Sequence, residues 1–172
     1  MSLVETDGRT SVIATTLPML DAEEVGGDAL AALLGVEPPA SWPPIYNDQD
    51  TRDWIRGMIA RNPGEPGYGS WYIVADGRLV GNAGFKGPPD ADGLVEIGYS
   101  VVEAYQRKGY GSAAIALLVS FAFRDPRVTA VTAETIPELV ASQAVLTRSG
   151  FALVGRTPNE EFGEILRYSR TR

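Results

Sequence analysis

Apolar positions along this chain recur at two spacings. Between Leu94 and Val102 they alternate: Val95, Ile97, Tyr99 and Val101 share one side of an extended chain, and Glu96, Gly98, Ser100 and Val102 share the other. This spacing predicts a strand ending near Val102. The alternation breaks at Tyr105-Gln106-Arg107-Lys108-Gly109-Tyr110-Gly111-Ser112, and an apolar run from Ala113 to Phe123 follows. Its length suits a largely buried helix, starting near Gly109 and ending near Asp125-Pro126.

The same reading extends to the rest of the chain. Ser11 to Thr16 is short and β-branched and predicts a first strand, closed by Pro18. Asp21 then caps a helix from Ala22 to Leu34, with Gly35 as its stop. Glu37 to Asp48 carries four prolines in twelve residues and reads as a stiff loop bearing Trp42 and Tyr46. A second helix opens at Asp50 or Thr51, repeats Trp54, Ile55, Met58 and Ile59 at helical spacing, and ends at Asn62-Pro63. Trp54 and Trp71 read as core. The segments Trp71 to Ala75 and Leu79 to Phe85, joined by Asp76-Gly77, form a hairpin, and with the Leu94 strand they make three consecutive antiparallel strands. Val128 to Thr135 predicts a strand, Pro137 to Ser149 a helix stopped by Gly150, and Phe151 to Gly155 and Glu164 to Tyr168 two last strands. The predicted order is βααβββαβαββ, an α/β fold in one domain spanning residues 1–172.

Composition narrows the chemistry. The 172 residues are 44% hydrophobic and 22% charged, an ordinary balance for a soluble globular domain. There is no cysteine and no histidine, which removes disulfides, thiolate nucleophiles, imidazole bases and the commonest zinc ligands. No metal is expected, and any base must be a carboxylate, a tyrosine, an amine or water. A net charge of −7 argues against nucleic acid and favours cationic partners. Met1 to Thr10 lacks the apolar core of a secretory signal, and Ala113 to Phe123 is too short to span a bilayer, so a cytoplasmic protein without a membrane partner is expected.

The turn between the Leu94 strand and the next helix carries the most specific signal. A helix starting near Gly109 directs unpaired N–H groups and the positive end of its dipole at the turn, and Arg107 and Lys108 add charge. From the residues alone this is a seat for a pyrophosphate or a tight strand-to-helix connection. Gly109 and Gly111 form G-x-G, but Ala114 stands three residues later and no G-x-x-x-x-G-K-S/T occurs, so the dinucleotide-fold and P-loop patterns do not fit. What remains is Q-x-x-G-x-G, from Gln106, Gly109 and Gly111, directly after a strand reading EIGYSV. Here the chain resembles the GNAT acetyltransferase superfamily, whose Q/R-x-x-G-x-G/A motif binds the pyrophosphate of acetyl-coenzyme A (acetyl-CoA). The run from Ala133 through Pro137 to Ser142, continuing to Val145, Leu146, Gly150 and Phe151, is similar to the A-E-T-x-P-x-N-x-A-S…V-L-x-x-x-G-F pattern of the branch containing RimJ- and RimL-type ribosomal-protein N-terminal acetyltransferases. The stretch from Val80 into Tyr99 is similar to that branch too. Two positions depart: Leu139 stands where the branch carries an asparagine that hydrogen-bonds near the pantetheine, and Ala144 occupies a commonly basic position.

The resemblance implies a GNAT fold, with a mixed, mostly antiparallel sheet flanked by helices, and direct acetyl transfer from acetyl-CoA to a primary amine. That amine is a peptide N-terminus or a small amine, and a homodimer is compatible with the sequence. It further implies that pantetheine pairs with Ser100, Val101 and Val102, and that the pyrophosphate sits on the amides of Arg107, Lys108, Gly109, Tyr110, Gly111 and Ser112, with Gln106 and Tyr110 lining the turn. A strand N–H near Val101 would serve as oxyanion donor. Glu96 shares a face with Gly98, which leaves space beside it, and relatives place a catalytic glutamate in this strand. It is either the base or a structural carboxylate, at the exposed edge or in an ion pair. Ser142 is either the group that protonates the leaving thiolate or an ordinary helix serine. Trp42 and Tyr46 lie in the loop that overhangs the acceptor in relatives, or belong to the core. Leu139 also motivates an alternative, a degenerate member that binds acyl-CoA as a sensor or structural module.

Overall fold

In a computed structural model, which describes residues 2–172, the chain forms one eight-stranded sheet with helices on both faces. Its elements are β1 (Val4–Thr6), β2 (Thr10–Ala14), α1 (Leu17–Val25), α2 (Gly27–Leu34), α3 (Gln49–Arg61), β3 (Ser70–Ala75), β4 (Arg78–Phe85), β5 (Leu94–Val101), a 3-10 turn (Glu103–Tyr105), α4 (Tyr110–Arg124), β6 (Ala130–Thr135), α5 (Val140–Arg148), β7 (Ala152–Asn159) and β8 (Gly163–Thr171). The strand order is β1-β2-β3-β4-β5-β6-β8-β7. Neighbouring strands are antiparallel except β5 and β6, which are parallel and joined through α4.

Alternation along the strands sorts the two faces. On one, Val12, Trp71, Ile73, Ala83, Phe85, Val95, Ile97 and Val131 pack against Ala114, Ile115, Leu118 and Ala122 of α4. Burying each of the larger side chains contributes about 1.5–3 kcal/mol. On the other, α1 and α2 cover Tyr72 and Leu79 with Met19, Leu30 and Ala31. Toward β5, β6 and β8 this second face turns polar, carrying Glu96, Glu134 and Arg167, with Glu134 and Arg167 paired across the strands.

Several boundaries differ from the sequence reading. β1 is an extra strand, only three residues long and largely exposed, so no periodicity announces it. The single helix expected over 22–34 is two: α1 already begins at Leu17, with Pro18 in its first turn, and Gly26 at φ 150° separates it from α2. Asp21 therefore lies inside α1 and is not a cap. Gly27 opens α2 without a side chain because Trp42 lies there; a Cβ would come 2.5 Å from the tryptophan Cβ. Asp48 caps α3 by accepting from the Thr51 N–H at 2.9 Å, ahead of the expected opening at Asp50 or Thr51. α5 starts at Val140 rather than Pro137, because 136–139 form a turn. The final hairpin is longer than predicted, closed by Asn159 accepting from the N–H groups of Glu161 and Phe162. Pro158 sits on the outer edge strand, where a missing donor is tolerated.

At the far end of α4, Arg127 donates to both Glu65 and Asp125, and the Tyr68 hydroxyl donates to Asp125 at 2.8 Å. The Arg127 guanidinium, with help from its backbone N–H and the Tyr68 hydroxyl, holds the Asp125 carboxyl well below the usual carboxylate range. No helix among the described residues is long and apolar enough to cross a membrane.

Candidate active site

The site grows from the one place where the sheet parts. β5 and β6 pair from Leu94 with Ala130 to Ile97 with Ala133, and then diverge. β5 stays bound to β4 as far as Val101 opposite Gly81. The Lys86 N–H donates to the Glu96 carbonyl at 2.9 Å and the Val102 N–H to the Val80 carbonyl at 2.9 Å, so even-numbered residues direct their backbone groups at β4. Tyr99 and Val101 then direct theirs into the gap. The Val101 carbonyl accepts from the Gln106 side-chain amide at 2.9 Å, which places Gln106 as the brace between strand and turn. Of the three residues expected to meet pantetheine, Val101 faces the gap, whereas the Val102 N–H is bonded to β4 and Ser100 is opposite Asn82.

The glycine turn closes the gap at one end. Arg107 lies at φ 62° and Gly109 at φ 83°, the latter acting as N-cap of α4 with no side-chain cap. The first bond into the helix backbone is Ala113 N–H to Gly109 carbonyl, which leaves the N–H groups of Tyr110, Gly111 and Ser112 pointing out of the helix. Gly111 lets α4 lie close against β5: a Cβ there would be 3.0 Å from the Tyr99 ring. Arg107 and Lys108 are exposed in the turn, and the Lys108 ammonium lies 5.9 Å from the Tyr105 ring centre. Tyr110 is buried and turned away from the gap, its hydroxyl donating to Asp76 and its ring under the Arg9 guanidinium at 5.1 Å. It fastens the turn to the β3–β4 hairpin.

On the far side of the strands lies a cleft of about 290 Å³, walled by Ile45, Tyr46, Trp54 and Ile55 and floored by Asn82, Gly84, Gly98 and Ser100. The Ser100 hydroxyl donates to the Ile45 carbonyl at 3.1 Å, and the Thr51 hydroxyl to the Tyr46 carbonyl at 2.9 Å, so the proline-rich loop is held over the cleft. Tyr46 lines it. Trp42 does not; its indole N–H donates to Glu23 at 2.9 Å and its ring packs 6.3 Å from Tyr72. Trp54, expected in the core, is 45% exposed and forms a cleft wall instead. It falls off the stripe that buries Ile55 and Met58.

Glu96 sits on the cleft side of β5 and is ion-paired with Lys86, whose side chain lines the cleft. Ser142, in the first turn of α5, stands beside the Tyr99 phenol; burial pushes that phenol above its ordinary value and the serine contact pulls it partly back. Leu139 occupies the N-cap of α5, exposed and without a cap bond. Lys86, Tyr99, Asn47 and Trp54 also line the cleft, a placement that reading the sequence did not single out. A signal existed for Lys86: in a hairpin whose ladder ends at Phe85 and Ile97, the next pair on the glutamate's face is Lys86 with Glu96.

The sheet is thus parted at its single parallel joint, above an uncapped helix N-terminus and beside an open cleft. Residues 27–152 match the sequence model of the acetyltransferase (GNAT) domain, and the chain belongs to that family. It is 32% identical over 155 residues to the uncharacterized N-acetyltransferase YjdG of Bacillus subtilis (strain 168), covering 89% of this chain and 91% of that one. In fold it matches RimL, a ribosomal L7/L12 alpha-N-protein acetyltransferase, with a TM-score of 0.74 at 20% identity over 100% of this chain and 96% of that one. The RimL structure in complex with coenzyme A gives a TM-score of 0.74 at 20% identity, covering 98% of each chain. The microcin C7 self immunity acetyltransferase MccE, solved with acetyl-CoA and AMP, gives 0.69 at 18% identity over 96% of this chain and 94% of that one.

Proposed function

We propose that this protein transfers the acetyl group of acetyl-CoA directly to a primary amine entering through the Tyr46–Trp54 cleft. The observation that carries this reading is that the freed edge of β5 is reached from both sides, from the glycine turn on one and from the cleft across Gly98 on the other. The residues present fit the cosubstrate. The outward N–H groups of Tyr110, Gly111 and Ser112 suit a pyrophosphate, and the Tyr99 backbone suits the amide-rich pantetheine arm. When bound, the cosubstrate supplies an activated acetyl thioester. The chain has no cysteine to carry the acyl group, which supports transfer straight to the amine.

An alkyl amine with a pKa of about 10.4 reaches the site mostly protonated at neutral pH, so a proton must leave before attack. Glu96 lies on the cleft side, next to the side-chain-free row at Gly98, and takes the role of base directly or through water. The Val101 N–H stabilises charge developing on the carbonyl oxygen. Ser142, with Tyr99 behind it, returns a proton to the leaving sulfur. Coenzyme A release measured against a panel of small amines and peptide N-termini, beside calorimetric binding of acetyl-CoA, tests this reading. Turnover on at least one amine is expected, and Glu96→Gln should lower kcat by roughly 10²–10⁴-fold, the usual contribution of a positioned base, with cofactor affinity kept. Tight cofactor binding with no turnover on any amine would favour the sensor instead.

A further inference from the structure

The chain has two lysines, Lys86 and Lys108. Lys86 stands where an acceptor amine would be presented. Its N–H bonds the Glu96 carbonyl, so the two residues face one another across β4 and β5 on the cleft side, and the ammonium is paired with the Glu96 carboxylate. It is the one charged side chain among the described residues lining the cleft. The next positions on that face are Gly84 and Gly98, directly opposite each other, and nothing lies within 4 Å of where a Gly98 Cβ would be. Two residues along a strand span about 6.7 Å, which is within the swing of a lysine's four-carbon stem. No side chain on this row separates the Lys86 amine from the parted edge at Tyr99.

We propose that Lys86 is itself an acceptor, acetylated in cis by the site it lines; the inference rests on the acetyl-CoA-dependent reading above. The ammonium gives its proton to Glu96 and thence to solvent, and the freed nitrogen lone pair forms a bond to the acetyl carbonyl carbon. The carbon–sulfur bond breaks with its electron pair on sulfur, which takes up a proton as the free thiol of coenzyme A. The product is an amide-linked acetyl-lysine that no longer carries charge. Glu96 is thereby released from its ion pair and faces the cleft, and the cation at the cleft mouth is gone. Both changes favour a protonated external amine.

The test uses the intact wild-type protein with acetyl-CoA alone, followed by peptide mass mapping. Lys108, exposed in the turn, serves as the internal reference for uncatalysed acetylation. One acetyl group on Lys86 is expected, appearing at a rate independent of protein concentration and at least about tenfold faster than on Lys108, the signature of more than about 1.4 kcal/mol of barrier lowering. Lys86→Arg, which keeps a cation beside Glu96, should leave only the background label. Equal labelling of the two lysines overturns the proposal, as does an unlabelled Lys86 in protein shown by calorimetry to bind acetyl-CoA. The amine panel on the same preparation separates the causes. External turnover with Lys86 bare removes the self-acetylation and leaves the proposed function standing, whereas silence on both removes the two together.

Discussion

Glu23 offers the sharpest test of how the acceptor side of the cleft is held. Its carboxylate, 5% exposed in α1, accepts from the Trp42 indole and the Asn47 amide on one oxygen and from the Tyr72 hydroxyl on the other. Burial, and then the neighbouring Glu23 carboxylate, push the Tyr72 phenol far above its ordinary value, so it remains a neutral donor at every working pH. Glu23→Gln keeps the shape. The glutamine oxygen still accepts from Trp42 and Asn47, but its amide group now confronts Tyr72, whose proton must turn to the Thr15 hydroxyl, a buried atom without a partner. Three bonds to a charged acceptor, each worth about 1.5–3 kcal/mol, become neutral ones worth about 0.5–1.5 kcal/mol. A neutral amide is easier to bury, and this offsets part of the loss, leaving a net cost of roughly 1–2 kcal/mol. For a chain of this size that is a fall in Tm of about 2–8 °C, read by thermal unfolding at pH 7. Because Trp42 and Asn47 bracket Ile45 and Tyr46, the KM for the acceptor should rise while acetyl-CoA affinity stays level. A variant as stable as wild type, with acceptor KM unchanged, would refute the view that this carboxylate organises the loop.

Gly109→Val should cost about 1–3 kcal/mol of stability, because a β-branched residue is strained at φ 83°, and should weaken acetyl-CoA by at least about tenfold in calorimetry; unchanged affinity in a folded variant removes the turn from the binding site. Leu139→Asn supplies the missing N-cap of α5 and should stabilise the protein by about 0.5–2 kcal/mol in urea titration whether or not cofactor is present, so an unmoved midpoint would count against the cap assignment. Asp125 has its carboxyl held low in the folded state, so its stabilising contribution is complete above the unfolded value of about 3.9 and is lost as pH falls below it. The Tm of Asp125→Asn should therefore lie furthest below wild type at pH 5 to 7, with the gap starting to narrow as pH falls below about 3.9; a gap that widens on acidification contradicts the assignment.

The segments legible in the sequence were those whose pattern is set by local rules. The Asp76-Gly77 turn has positive φ at both residues, which is what a two-residue hairpin needs, and β5 and α4 show their periods over many residues. β1 was too short to show a period, and α1 began at a proline that was read as a strand terminator. The site divided along similar lines. The glycine turn is a contiguous motif and could be seen directly, but the two aromatic residues exchanged roles. Trp42 is drawn into the interior by a donor–acceptor match with Glu23, nineteen residues away, and Trp54 is set on the cleft by its position one residue off the buried stripe of α3. Neither placement has a local signature. Tyr110 is the same kind of case: its neighbours Gly109 and Gly111 belong to the turn, while its own ring answers to Asp76 and Arg9 from a different part of the chain.

The lone parallel pair has a mechanical consequence. Antiparallel neighbours joined by a tight turn are hinged at one end, so prising them apart means working against the hairpin. β5 and β6 are joined only through α4, and no turn clips either end of their ladder. Their pairing can stop after Ile97 and Ala133 without straining a connection, which leaves the Tyr99 backbone and the Val101 N–H facing the gap between the two strands. The hairpins β1–β2, β3–β4, β4–β5 and β7–β8 act as the rigid frame and the parallel joint as a seam. Substitutions in the outer strands can therefore alter stability while the gap between β5 and β6 stays open.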